Sequence, residues 1–477
     1  LTQQERSPGD ACFRSHRREP DGLVEINYAI RINKIEEQEL EMTDTTIARV
    51  HGRRVWDSRG RPTVEAEVTL TCGATGRATA PAGASTGSGE ALELRDGGAA
   101  FGGLGVMKAL ASINGDIAQA LAGQDACDQL RLDEKLVALD GTPNRSRLGG
   151  NAIVATSMAL LHAAAAASRQ PVWRYLAKGR AVRLPLPEIQ IFGGGAHAAR
   201  RVDVQDFMIM CPAARSFSEA LEWTAEVYRA AGALMKRTGK LQGVADEGGY
   251  WPAFTSNEEA LDTLMQAIQD AGLRPGAEVG ISLDIAASEF GENGYYVLAL
   301  DGRRLDTSGL IDMLGGWLDA YPILSIEDPV AEDDSHGFRA FTSRYGSRCQ
   351  IIGDDFLVTN AERVAAAAAE ASTNAVLIKP NQAGTVSEAH AALLAGKKAG
   401  FGTIVSARSG ETEDVTIAHL SVGWDAGQLK VGSFSRSERM AKWNEVVRIE
   451  EELGADARFS GWSALPFKVS PVAARGV

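Results

Sequence analysis

The chain of 477 residues is 44% apolar and 23% charged, the balance of a globular protein, and it exceeds the roughly 250–300 residues at which single cores stop growing, so two domains are expected. Its formal net charge of −13 opposes broad contact with nucleic acid or an anionic membrane surface, and no apolar run approaches the length needed to cross a bilayer. Five scattered cysteines without a CxxC pair exclude a disulfide scaffold and point to a reducing cytoplasm. Residues 1–41 are polar, carry Arg14, Arg17 and Arg18, end in an acidic stretch and lack the order of a secretion signal. They are expected to be a disordered extension or a start-site artefact, with Met42 as a fitting start. Residues 47–70 read as two strands joined by Asp57-Ser58-Arg59-Gly60-Arg61-Pro62, since Val64, Ala66 and Val68 alternate with Glu65 and Glu67. Helical patterns follow over residues 105–121 and 151–168, the second rich in alanine. Residues 42–182 are therefore expected to form a small α+β domain, with Pro185 and Pro187 marking the boundary to residues 183–477.

Beyond Pro187 short β-rich runs alternate with helical ones, as in parallel βα units. Six runs deliver an ionisable side chain at or just past their C-terminal end: Asp284, Glu327, Asp354, Lys379, Arg408 and Lys430. Any one such charge is more often a helix cap or a solvated loop group. Six at corresponding ends favour a closed (β/α)8 barrel, whose strand ends converge on one face where active sites are built.

Asp284, Glu327 and Asp354 offer hard oxygen ligands from successive strands, the preference of magnesium; without His or Cys among them, zinc is disfavoured. Lys379 and Lys430 add cations, and a lysine beside a dication has its pKa lowered until it can accept a proton from carbon. Glu247, in Ala245-Asp246-Glu247-Gly248-Gly249, stands on a turn that can carry a general acid into a pocket. Arg408-Ser409-Gly410 suits a phosphate, while Gly83-Ala84-Ser85-Thr86-Gly87 has the small residues of a loop able to lie against a ligand, or of a plain turn. The set suits removal of a proton next to a carboxylate followed by loss of a hydroxyl, a dehydration.

Across residues 47–460 the chain resembles enolase, on Asp57-Ser58-Arg59-Gly60, Gly83-Ala84-Ser85-Thr86-Gly87, Asp246-Glu247-Gly248-Gly249, Ser325-Ile326-Glu327-Asp328-Pro329, Arg408-Ser409-Gly410-Glu411, Arg436-Ser437-Glu438-Arg439 and Arg448-Ile449-Glu450-Glu451-Glu452. The resemblance implies Mg2+ held by Asp284, Glu327 and Asp354, a second ion helped by Ser85, Lys379 as base and Glu247 as acid. It implies Lys430 on the substrate carboxylate, Arg408 and Ser409 on its phosphate, and His197 and Gln205 lining the pocket. An α+β cap on a barrel whose first strands break the simple βα order, a small phosphorylated substrate and a homodimer are implied too. Several positions depart from the family pattern: Ala407 replaces a His, Asp206 stands for a Glu beside the substrate, Gly193-Gly194-Gly195 replaces Asn-Gly-Gly, Ser88-Gly89 is less bulky, and Arg200-Arg201 follow His197. The implied activity is dehydration of 2-phosphoglycerate; the alternatives are a shifted relative such as carboxyphosphonoenolpyruvate synthase, of phosphonate-antibiotic pathways, and a silent binding protein, which the intact Lys379 and carboxylates oppose.

Overall fold

The computed structural model describes residues 44–84, 86–198 and 201–468, which belong from Thr45 onward to one compact unit. The reading of residues 1–41 falls outside this range. Strands Ile47–Trp56 and Pro62–Leu70 pair antiparallel with Trp56 opposite Pro62. Asp57 shapes the connecting turn, accepting from the backbone N–H of Arg59 at 2.9 Å and of Arg61 at 2.8 Å. Val64, Ala66 and Val68 are buried, whereas Glu67 faces out and pairs with Arg53 at 2.9 Å. A third strand, Thr75–Thr79, extends the sheet; its Thr-Gly-Arg-Ala-Thr sequence lacks the apolar alternation by which strands are read.

The alanine-rich segment forms the helix Gly150–Ala167 across this sheet. By length and composition it is able to span a membrane, contrary to the sequence expectation, but 89% of it is buried inside the protein. Small side chains bring the two backbones together: a Cβ at Gly76 would stand 2.1 Å from the Ala163 nitrogen and 2.2 Å from the Ala159 oxygen. The other expected helix is present as Met107–Ser112, a π-helical turn Ile113–Ile117 and Ala118–Leu121.

Eight strands close the barrel: Leu186–Gly193, Asp206–Met210, Gly280–Asp284, Ile323–Glu327, Gln350–Gly353, Ala375–Ile378, Gly402–Ser406 and Gly427–Ser433, the last pairing with the first. The second runs antiparallel to both neighbours, so the order opens β-β before settling into βα repeats. Between the second and third strands come helices Phe217–Thr238 and Asn257–Asp270, each begun by a Ser whose hydroxyl accepts from the N–H of a Glu three residues on. The barrel interior is partly polar, Gln350 and Gln428 exchanging side-chain hydrogen bonds at 3.0 and 2.7 Å.

Cap and barrel meet at the loop after Gly402–Ser406. Ala82 and Gly410 exchange backbone hydrogen bonds, both 2.8 Å, and Ser58 N–H donates to the Glu411 carbonyl at 2.8 Å. Gly410 leaves room for the buried Asp57–Arg59 ion pair: a Cβ there would lie 2.3 Å from Arg59 Nη2 and 2.5 Å from Asp57 Oδ2. Arg436 Nη2 donates to the Ser58 carbonyl at 2.7 Å from the other side. The hairpin turn thus fixes the start of the segment from Gly83 onward against the barrel.

Gly76→Ala is expected to lower the melting temperature by several degrees, a cost of about 1–3 kcal/mol, because the added methyl meets helix backbone that no rotamer change relieves. A calorimetric scan checks it, and an unchanged Tm would contradict the tight sheet–helix contact.

Candidate active site

Strand register assembles the acidic side of the barrel mouth. Asp284 lies opposite Asp206 on one neighbouring strand and opposite Glu327 on the other, and all three side chains point the same way because aligned positions in a sheet share a face. All three are buried. Lys430 reaches them together: its Nζ is 2.7 Å from Glu327 Oε2, 3.0 Å from Asp284 Oδ2 and 3.6 Å from Asp206 Oδ2. Unlike the other five strand-end charges, Lys430 sits inside its strand, which continues to Ser433 and so projects the ammonium into the mouth from below. Gln205 Nε2 donates to Asp284 Oδ2 at 3.2 Å, and Gln190 Nε2 to Asp206 Oδ1.

Asp354 belongs to a second group. It makes an ion pair with Lys379 and accepts from Gln382 Nε2 at 2.9 Å. Its carboxylate lies with those of Asp328 and Asp355 in a buried cluster whose oxygen atoms fall within 4.8 Å of one another. The sequence reading gives neither Asp328 nor Asp355 a role, although each directly follows a residue that has one. Asp328 takes a left-handed conformation, φ 41°, in which its carboxylate accepts from the backbone N–H groups of Asp354 and Asp355, both at 2.9 Å.

Burial and crowding set the charge states. Burial raises the Glu327 carboxyl well above the usual range, and the neighbouring Asp284 adds to it. The Asp355 carboxyl is pushed up to about 8 by burial and then by Asp354. Asp354 moves the other way: burial opposes its ionisation, but the charge and hydrogen bond of Lys379 outweigh it. Burial likewise disfavours the Lys379 ammonium, and Asp354 more than offsets that, so its pKa is raised. Lys430 is raised well above its ordinary value, Asp284 and Glu327 overcoming the same penalty. With these carboxylates as partners both lysines are ammonium ions, whereas a proton-accepting lysine needs its anionic partner neutralised.

Glu247 comes from the hairpin Leu241–Val244 and Tyr250–Pro252, whose turn is closed by Ala245 N–H donating to the Gly249 carbonyl at 2.7 Å. Gly248 at φ +92° makes this turn possible, its carbonyl accepting from Tyr228 Oη at 3.0 Å and Ser435 Oγ at 2.6 Å. Glu247 is thereby buried beside Gly432, in the cleft that Lys379 also lines. Arg408 and Ser409 are set by the helix Ser437–Leu453: Arg439, wholly buried, donates to the Arg408 carbonyl at 2.6 Å and to the Ser409 carbonyl at 2.5 Å. The resulting cleft is narrow and lined by Gln205, Asp206, Glu247, Asp284, Lys379, Arg408, Ser409 and Lys430, with Ala407 among them. Ser85 and the His197 side chain lie outside the described residues, as does Arg200; Arg201 is exposed.

Two family models match the chain: "Enolase, C-terminal TIM barrel domain" over residues 181–467 and "Enolase, N-terminal domain" over residues 47–176. The chain belongs to the enolase family. For this family member the fit to a magnesium ion rests on the donor set. Asp284, Glu327 and Asp354 supply hard oxygens, and Glu327 Oε1 is buried without a hydrogen-bond partner, a state that protein contacts leave unsatisfied and a cation satisfies. The donor chemistry suits the metal, although among the described residues the carboxylates that converge within 4.8 Å are those of Asp328, Asp354 and Asp355 rather than this trio.

Lys430→Met is expected to leave buried carboxylates uncompensated, costing about 3–5 kcal/mol near neutral pH. Glu327 has a raised pKa in the folded state, so it folds without penalty while protonated and loses that stability as pH rises. The Tm deficit against wild type should thus be small near about pH 5 and widen by about pH 8. A deficit equal at both would contradict this charge assignment.

Proposed function

We propose that this enolase-family enzyme removes water from 2-phosphoglycerate or a close analogue, giving an enolpyruvate phosphate. The observation that carries the reading is that Lys379 and Glu247, a base and an acid candidate, line one small cleft together with Arg408, Ser409 and Lys430. Elimination requires these partners on one carbon skeleton: a proton leaves C2 to the base, the electron pair forms the double bond, and the C3 hydroxyl departs as water after accepting a proton from the acid. Arg408 and Ser409 would hold the phosphate and Lys430 the carboxylate, so that negative charge developing on the substrate meets fixed cations rather than reorganising water. Asp284, Glu327 and Asp354 would hold magnesium, which would supply further positive charge to the site and offset the anionic partner of Lys379.

Activity is expected to require magnesium, and Glu327→Gln is expected to lower kcat by at least about 10³-fold while circular dichroism shows an intact fold. Full turnover in excess chelator would rule out the metal's part.

A second reading, a carboxyphosphonoenolpyruvate synthase, is favoured by Ala407. Its methyl group lines the cleft beside Arg408, where a histidine ring would occupy more space, so a larger substituent on phosphorus gains room. Comparing kcat/KM for 2-phosphoglycerate and its P-carboxylated analogue separates the two. Under the second reading the wild type prefers the analogue, and Ala407→His shifts preference toward 2-phosphoglycerate by roughly 10²-fold. Efficient wild-type turnover of 2-phosphoglycerate alone leaves only the first.

A further inference from the structure

Glu90 has no role in the chemistry above, yet it touches more of the site than any cap side chain described so far. Its carboxylate is 8% exposed and meets the Arg408 guanidinium end-on, Oε2 accepting from Nη1 at 2.8 Å and Oε1 from Nη2 at 3.2 Å. Asn381 Oδ1 accepts from the same Nη1 at 3.1 Å, so the plane of the fork is fixed from two directions. Oε1 also accepts from the Gly87 N–H at 3.0 Å and from Gln382 Nε2 at 3.3 Å. Gln382 Nε2 in turn donates to Asp354 Oδ1, and its Oε1 accepts from Thr359 Oγ1 at 2.6 Å, the hydroxyl that receives the Lys379 N–H at 2.9 Å. One glutamate from the cap thus joins Arg408 to Gln382, and through Gln382 to Asp354 and the backbone of Lys379.

The backbone around Glu90 is seated as firmly as its side chain. A Cβ at Gly87 would stand 2.7 Å from Val358 Cγ1 and 3.1 Å from the Asp355 backbone, so only glycine brings the cap this close to the loop after Gln350–Gly353. Ser88 is held on the outer side, its N–H and hydroxyl donating to Glu332 Oε2 at 3.1 and 3.2 Å. An arginine carries several rotatable bonds, and ordering it when an anion binds costs affinity; a fork already ordered by a buried carboxylate avoids that cost.

We infer that Glu90 is a positioning residue, which holds the Arg408 fork in the orientation that receives the substrate's phosphate or phosphonate group and ties that cation to Asp354 through Gln382. The inference rests on the proposed role of Arg408 as the anion anchor, and the variants are chosen to separate the two. Inorganic phosphate binding to the full-length protein is measured by calorimetry, and KM and kcat with 2-phosphoglycerate, for wild type, Glu90→Gln, Glu90→Asp and Arg408→Lys. Glu90→Gln is expected to weaken phosphate binding and raise KM together by about tenfold, with kcat changed less than about threefold, and Glu90→Asp, which keeps the charge, to recover part of both. Weakened phosphate binding in Arg408→Lys with none in Glu90→Gln overturns the positioning role and leaves the anchor standing. Tighter phosphate binding in Glu90→Gln overturns it too, because Glu90 would then compete with the anion. A lowered Tm and kcat in both Glu90 variants, with phosphate affinity and KM unmoved, assigns Glu90 a structural role and overturns it likewise. Arg408→Lys without effect on phosphate or KM removes the anchor and, with it, this inference.

Discussion

Bringing Asp206, Asp284 and Glu327 side by side inside a barrel is costly, because each carboxylate loses its water and repels the next, and Lys430 is the group that offsets the cost from within hydrogen-bonding reach of Glu327 and Asp284. Much of the mouth follows from that constraint. A second cation, Lys379, must serve Asp354, because the ammonium of Lys430 is committed to the other strands. Arg408 is then matched by Glu90 from the cap. Polar scaffolding continues below it in the Gln350–Gln428 pair and in Glu188, whose Oε2 accepts from Ser282 Oγ at 2.8 Å and whose carboxyl is kept above its ordinary pKa by burial. Such a crowd of charge is poorly satisfied by protein alone, as the unpartnered Glu327 Oε1 records, and suits a cation and an anionic substrate instead.

The cap serves the same mouth. Its hairpin turn, through Asp57, Arg59 and Ser58, packs on Gly410, the residue after Arg408-Ser409, while Arg439 holds the carbonyls of both from the opposite side. The phosphate-type residues are therefore clamped between two elements far apart in sequence, which gives their geometry a rigidity that a free loop lacks. A buried arginine and a buried lysine on one helix, Arg439 and Lys442, do this by hydrogen bonding to backbone carbonyls and to Glu411.

The barrel was legible in the sequence because the six runs from 280 onward each end, or nearly end, in a charge, and parallel buried strands read as continuous apolar stretches. Asp284, Glu327, Lys379, Arg408 and Lys430 were legible for the same reason. The strand Asp206–Met210 gives no sign of its reversed direction in its own residues, and the family resemblance implies only that the first strands break the simple βα order. Asp328 and Asp355 were hidden as neighbours of more obvious acids, since only the left-handed turn at Asp328 folds its carboxylate back onto the following strand. Glu90 lies on the cap, distant in sequence from Arg408, and no local pattern announces a pair that depends on docking two domains. The membrane-length helix was misjudged because alanine is apolar enough to meet a length test yet small enough to pack in a core.

In the proposed reaction Lys379 takes a proton from the carbon next to the substrate's carboxylate. Incubating the protein with magnesium and 2-phosphoglycerate, or its P-carboxylated analogue, in deuterated water and following the C2 proton by NMR tests it directly. Wild type should exchange that proton with solvent, and Lys379→Ala should lose the exchange while retaining bound substrate. Exchange in Lys379→Ala at the wild-type rate would contradict the account and assign the base to another residue.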